Sequence, residues 1–161
     1  MAKFLRLSSA AVFALAFSAQ VSAQAPVVTA KDPQSIVAAL ELAGYEPTLS
    51  TDATGDPLIR VRINAYTTRI VFYGCDKDSH DGCDSIQLST GFDRAEPWTA
   101  DAAMEISRKY RYGAVFLDKE GDPYLKWDII TGDGIPTPVF LSSVRAFAGT
   151  VTFAAEMVFA E

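Results

Sequence analysis

The sequence has little histidine and a deficit of positive charge, and both shortages limit its chemistry. One histidine occurs in 161 residues, and 14 lysine and arginine residues stand against 20 acidic residues, for a formal net charge of −6. Nucleic-acid-binding proteins normally carry a basic surface, so the acidic balance disfavours that class. A single histidine also leaves no second histidine for a triad or a metal cluster.

Recognisable catalytic motifs are missing as well. The chain has no G-x-S-x-G sequence and no phosphate-binding glycine loop. Gly132-Asp133-Gly134 precedes a predicted helix, but Pro136 and Pro138 lack the amide donors that a phosphate site uses. His80 lies among aspartates in a polar segment and is not expected to be catalytic. We therefore predict a non-enzymatic protein without a cofactor, and an unrecognised pair of carboxylates is the enzymatic alternative.

The N-terminal segment has the layout of a secretory signal peptide. Lys3 and Arg6 precede an apolar run from Leu7 to Phe17, and small residues follow that run. The run is shorter than the roughly 20 apolar residues that cross a bilayer, although a retained membrane anchor is the alternative. Small-residue spacing allows cleavage after Ala23 or Ala25, and the first is favoured because the second leaves a proline at the new terminus.

This interpretation divides the chain into a signal peptide at 1–23, a flexible leader at 24–31 and one domain at 32–160. Removal of residues 1–23 takes away two basic residues and no acidic residue, so the net charge changes from −6 to −8. We expect a periplasmic or secreted protein that is not stably inserted in a membrane.

The predicted export bears on the oxidation state expected for the two cysteines. Cys75 and Cys83 flank a polar, turn-rich segment between two predicted strands. Disulfides persist in oxidising compartments, so we predict a bridge between them across the base of a hairpin loop. A stress-response or structural envelope protein without a dedicated ligand fits the same observations.

Two kinds of metal site are conceivable for this loop, and neither is predicted. A zinc site would use Cys75, His80 and Cys83, which supply only three ligands. A calcium site is suggested by four aspartates, Asp76, Asp78, Asp81 and Asp84. Counted from the first of them, the sixth and twelfth positions of a calcium loop lack the glycine and glutamate that an EF-hand requires.

Hydrophobic periodicity predicts an α+β fold with three helices and about five to six antiparallel strands, in the order α-ββββ-α-ββ-α. The first helix opens at Asp32-Pro33, because aspartate caps a helix and proline fits its first position. The segment 67–75 is apolar on both faces, which indicates a central strand covered on both sides. Apolar residues from Phe140 to Val158 recur every three or four positions, which favours a long final helix despite the strand-like composition of 149–153.

Four segments in this order resemble the YbjN-type domain. They are the helix that opens at Asp32-Pro33 and ends at Gly44-Tyr45, the strand Arg69-Ile70-Val71-Phe72-Tyr73-Gly74-Cys75, the segment Cys83-Asp84-Ser85-Ile86-Gln87-Leu88, and Asp128-Ile129-Ile130 with Gly132 and Gly134. The likeness covers about residues 32–160. It implies a fold similar to type III secretion chaperones, which are homodimeric protein binders, and the family label names a suspected role in bacterial sensory transduction. It brings no catalytic residues.

Strand alternation also predicts a binding surface. If the most apolar strand faces meet the helices, the opposite face carries an aromatic and aliphatic patch rimmed by arginine, formed by Arg60, Arg62, Val71, Tyr73, Phe116 and Tyr124. Aromatic and arginine side chains are enriched at protein interfaces, so we expect this face to bind an unidentified protein or peptide. The alternatives are that these are ordinary sheet residues or that a second subunit covers them.

Further apolar residues on the final helix, Ala146, Phe153 and Met157, exceed what one face of a small sheet needs. They predict a homodimer through this helix or through the sheet face.

The predicted export can be tested directly on the secreted product. Expressed in a host with a secretory pathway, the chain is expected to lose residues 1–23 and to begin at Gln24. Intact mass and N-terminal sequencing of the envelope fraction measure this. A product that begins at Met1 would favour the retained anchor, and one that begins at Pro26 would favour the second cleavage site.

Overall fold

The computed structural model of the protein describes residues 26–111 and 113–160. Within these ranges the elements in chain order are β1 (Val27–Val28), α1 (Pro33–Leu42), β2 (Thr48–Thr51), β3 (Pro57–Ile63), β4 (Tyr66–Tyr73), β5 (Ser85–Gly91), α2 (Ala100–Lys109), β6 (Ala114–Leu117), β7 (Pro123–Ile130), β8 (Ile135–Pro136) and α3 (Thr137–Val158). The predicted α+β class and its order of elements are confirmed. The predicted signal peptide at 1–23 lies outside the described residues.

One antiparallel sheet organises the domain. Its six strands lie in the order β2-β3-β4-β5-β7-β6, and β1 pairs separately with β8. The register places Ile59, Ile70 and Leu88 opposite one another, with Trp127 next in the same row. Since successive residues of a strand point to opposite faces, this row and its neighbours form one continuous apolar face.

The helices cover that apolar face, which we call the inner face. The long helix α3 buries one side along its whole length, through Thr137, Phe140, Val144, Phe147, Thr150, Val151, Ala154, Ala155 and Val158. These residues recur at helical spacing and belong largely to the same core cluster as the inner-face strand residues. The segment 149–153 is helical, as the periodicity predicted, because core packing outweighs its strand-like composition.

Capping side chains define where the first two helices begin. The Asp32 carboxylate accepts a hydrogen bond from the backbone amide of Gln34 at 3.2 Å, and Pro33 occupies the first turn. The Thr99 hydroxyl accepts one from the amide of Ala102, also at 3.2 Å. Each bond satisfies an amide that has no partner inside its helix. Both starts agree with the sequence pattern.

Two buried hydroxyls on the inner face are paired with each other. Thr68 on β4 and Thr90 on β5 are directly opposite in the register, and their Oγ1 atoms are 2.8 Å apart. Burial of an unpaired hydroxyl is costly, so mutual hydrogen bonding permits both threonines in an otherwise apolar face.

Part of the segment predicted as a flexible leader packs into the domain. Val28 and Ala30 are buried, and β1 pairs with β8. The Thr137 hydroxyl donates to the carbonyl of Pro26 at 2.7 Å, and the Ala30 amide donates to the Thr131 hydroxyl at 2.9 Å. This differs from the expectation for residues 26–31, because a two-residue strand has no periodicity that reveals it.

The central strand β4 also differs from its prediction. Ile70 and Phe72 are buried on the inner face, but Arg69 and Tyr73 are exposed on the other side and Val71 is half-buried. The apolar residues Val71 and Tyr73 suggested a second covered face, whereas within the described residues no element buries that side. We call this side the outer face.

One helix, α3, has the length and apolar composition of a membrane-crossing segment. Core helices pass the same test, and in this fold the apolar side of α3 is buried against the sheet.

Because α3 packs on the inner face, truncation of Phe147 is predicted to destabilise the domain strongly. Phe147 is fully buried, and its ring centre lies 6.4 Å from that of Trp127. Phe147→Ala is expected to lower the free energy of unfolding by about 3–5 kcal/mol, because it removes buried area and leaves a cavity. Val139→Ala, on the exposed side of the same helix, is the control and should change stability by less than about 0.5 kcal/mol. Urea denaturation measures both, and equal losses would contradict this account of the core.

Candidate functional site

The six residues predicted as a binding surface all lie on the outer face. Arg62 is opposite Thr67 on β4, and a second cross-strand row runs from Gly91 through Tyr124 to Phe116. Arg60 lies two positions from Arg62 on β3, while Val71 and Tyr73 lie further along β4 on the same face. The strand register therefore places them on one side of the sheet.

The register does not bring all six residues into one patch. Tyr73 pairs with Ser85 at one end of β5, whereas the row of Phe116 and Tyr124 crosses that strand at Gly91. Six positions along a strand correspond to roughly 20 Å. Tyr73 is 46% exposed and Phe116 is 53% exposed. The face therefore has two separate aromatic ends.

Two basic residues at the site were missed by the sequence interpretation. Arg69 on β4 lies directly opposite Arg60, and Lys126 on β7 lies in the same row beyond Ser89. The Lys126 ammonium sits 5.3 Å from the centre of the Phe116 ring, a distance at which a cation is attracted to an aromatic face. Strand alternation could have identified both residues, because it places Arg69 on the same face as Val71 and Lys126 on the same face as Tyr124.

Two adjoining hollows open on this face. The larger encloses about 510 Å³, and its lining includes Arg60, Arg69, Ser89 and Tyr124. The smaller encloses about 300 Å³ and shares Arg69 and Tyr124 with it, and the rest of its lining is Phe116, Leu117, Asp118 and Lys126. Both hollows combine cationic and aromatic side chains.

Gly91 shapes the larger hollow. A Cβ atom at this position would lie 2.7 Å from the Tyr124 ring, closer than real contacts allow. The ring therefore rests across the glycine backbone, and a larger residue at position 91 would displace it from the wall of the hollow.

The predicted disulfide between Cys75 and Cys83 is present and closes the loop that follows β4. Within the loop, Asp76 organises the backbone. The amides of Ser79 and Asp78 and the Ser79 hydroxyl donate to its carboxylate, and these hydrogen bonds hold the pKa of Asp76 below its ordinary value. The loop is therefore held by a covalent bond at its base and by a charged turn inside it.

His80 joins this loop to the turn before β3. Its Nδ1 lies 2.8 Å from an Asp56 carboxylate oxygen, and its ring packs over Gly55. The same turn is organised by Asp52, whose pKa is lowered chiefly by the hydrogen bond from the Thr54 hydroxyl. A histidine–aspartate pair resembles part of a catalytic triad, but among the described residues no nucleophile is bonded to the other ring nitrogen. The pair connects the disulfide loop to the turn before β3.

The two metal sites that the sequence raised do not form around this loop. Both cysteine sulfurs belong to the disulfide, so neither is a free thiolate ligand. Across residues 26–111 and 113–160, no three histidine, cysteine or acidic side chains are grouped as a metal site.

Much of the surplus apolar surface predicted on α3 is used within the domain. Phe153 and Met157 pack against the core, and Phe153 lies 4.4 Å from the ring centre of Tyr110, while Ala146 is exposed. These contacts within the domain account for part of the apolar surface from which the homodimer was predicted. The homodimer therefore stays a prediction.

A six-stranded antiparallel sheet with helices on one face and a cationic, aromatic outer face defines a small α+β protein without a recognisable catalytic centre among its described residues. The family model of YbjN, described as "putative bacterial sensory transduction regulator", matches residues 32–158. The chain therefore belongs to the YbjN family, as its sequence motifs indicated. No curated protein matches the chain.

The disulfide is predicted to stabilise the domain by restricting the unfolded chain. Replacement by Cys75→Ala and Cys83→Ala together should lower the free energy of unfolding by roughly 2–3 kcal/mol, the chain-entropy value for a loop of this length. Denaturation with and without reductant measures this, and reductant should destabilise only the parent protein. Equal stability of the parent and the double variant would show that the bridge does not stabilise the domain.

Proposed function

We propose that this protein is an exported, non-enzymatic binding module that acts through protein–protein contact on its outer face, in a chaperone-like or regulatory role. The observation that carries the proposal is the exposure of aromatic and cationic side chains on a sheet face that no described element covers. Membership in a family described as sensory transduction regulators supports a regulatory role.

The composition of the outer face supports a protein partner. Tyr73 and Phe116 are about half exposed, and Arg60 and Arg62 lie on the same side of the sheet, on the strand next to that of Tyr73. Tyrosine and arginine contribute large shares of binding energy at protein interfaces, since each combines an apolar surface with a polar group.

The disulfide supports the exported location. Bridges of this kind persist outside the cytoplasm, where thiols are not kept reduced. A regulatory protein in that compartment meets envelope proteins. The test of the proposal therefore uses an envelope extract.

The proposal predicts that loss of both aromatic ends abolishes capture of a partner. The protein is immobilised and exposed to envelope extract, and bound proteins are quantified by mass spectrometry. Tyr73→Ser with Phe116→Ser should weaken capture of a stoichiometric partner at least tenfold, because two exposed interface aromatics are removed.

Met104→Ser with Val139→Ser is the matched control. These residues are 51% and 53% exposed, and they lie on helices behind the inner face. The control should retain the partner, and circular dichroism should show both variants folded. Full capture by the folded Tyr73→Ser, Phe116→Ser variant would overturn the proposed surface.

A further inference from the structure

Three positive side chains share one cross-strand row of the outer face. Arg60 is opposite Arg69, which is opposite Ser89, which in turn is opposite Lys126. Neighbouring strands lie about 4.8 Å apart, so the backbone positions of the two arginines are separated by roughly that distance. Like charges in directly opposed positions destabilise a sheet, and folding alone therefore does not explain the arrangement. We call Arg60, Arg69 and Lys126 the cation row.

Among the described residues, no carboxylate forms an ion pair with the cation row. The Arg60 guanidinium donates to the neutral Ser50 hydroxyl at 2.9 Å, and Lys126 contacts the Phe116 ring. In the described part of the chain, Arg69 has no hydrogen bond or ion pair. Elsewhere on the surface acidic partners are present, as where Lys31 pairs with Asp133 at 2.5 Å. The row thus offers donors that remain available to an anionic ligand.

The hollows give such a ligand room beside the cations. The larger hollow lies over Ser89 and Gly91, where one side chain is small and largely buried and the other is absent. The cations therefore border a depression in the sheet. Tyr124 forms a wall shared by both hollows.

Acidic residues mark the far end of the larger hollow. Asp93 and Asp122 belong to its lining, and an oxygen of Asp122 accepts the Arg94 amide at 3.0 Å. Their negative charge repels an anion from that end. An acidic group that enters the hollow is consequently directed toward Arg60 and Arg69.

We infer that the cation row binds side-chain carboxylates of an extended acidic segment of a partner protein, with apolar side chains of that segment packed against Tyr124 and Phe116. The inference rests on the proposed function, since it names the chemistry of the partner at the same face. Arginine binds carboxylates through paired hydrogen bonds. The cation row lies beside the row of Tyr124 and Phe116, so a segment whose sheet-facing residues, every second one, include both acidic and apolar side chains matches the two rows. The net negative charge of the chain disfavours a densely charged nucleic acid as the occupant.

The test uses a fluorescein-labelled peptide about ten residues long, which when extended spans a sheet of this width. Every second residue is in turn glutamate or tyrosine, with serine between them, so that both kinds of side chain point to the same face. Binding to the protein is measured by fluorescence anisotropy. A peptide with lysine in place of glutamate reports whether binding requires negative charge. Arg60→Gln with Arg69→Gln removes the two arginines, and Arg108→Gln with Lys109→Gln on α2 removes the same charge behind the inner face.

We expect the acidic peptide to bind the parent and the α2 control equally, and to bind the Arg60→Gln, Arg69→Gln variant at least tenfold more weakly. The lysine peptide should not bind. Equal binding to both variants, or no binding to the parent, would overturn the inference. Displacement of the peptide by a short single-stranded DNA at equal charge concentration would also overturn it, in favour of a nucleic acid.

A failure of this inference can be distinguished from a failure of the proposed function. If the acidic peptide fails while Tyr73→Ser with Phe116→Ser still loses the extract partner, the surface is retained and the acidic ligand is rejected. If that variant keeps its partner, the proposed surface itself is rejected.

Discussion

Burial of one sheet face beneath α3 is the constraint on which the rest of the structure depends. Strand side chains alternate between faces, so the register that aligns Ile59, Ile70 and Leu88 under the helix also fixes every residue of the outer face. A slip of one position would place Arg69 in the core and Ile70 in water. The alignment of the cation row is thus maintained by the same contacts that maintain the core.

Charge on the outer face has the opposite sign to that of the whole chain. The formal net charge is −6, yet Arg60, Arg62, Arg69 and Lys126 lie together on one side of the sheet. At physiological salt, charges separated by more than about 8 Å are largely screened. An acidic segment is therefore attracted only when it is already close, and the surrounding acidic surface opposes less complementary anions. Such an arrangement favours selectivity over rapid long-range capture.

The disulfide loop lies at the Tyr73 end of this face. β4 ends at Tyr73, which pairs with Ser85 just after Cys83, so the bridge fixes the strand ends on either side of the loop. Contact between His80 and Asp56 connects the loop to the turn before β3. Rigid placement of an exposed aromatic residue lowers the entropy that a partner's binding must overcome. In the proposed function, the loop would therefore contribute to recognition by fixing the position of Tyr73.

Alternation within single strands predicted the fold and the outer face, and it left the site within that face undetermined. The alternation within β3 places Arg60 and Ile59 on opposite faces whichever strands pair with β3, because the two-residue side-chain period is a local property of the strand. Which residue lies opposite Arg60 depends on turn lengths and pairing, so the row with Arg69 and Lys126 was not readable from the sequence, and neither was the distance between Tyr73 and Phe116. The pairing of residues 27 and 28 with β8 was hidden for the same reason. A binding site on a sheet is a property of register, and register is set by contacts that are far apart in the chain.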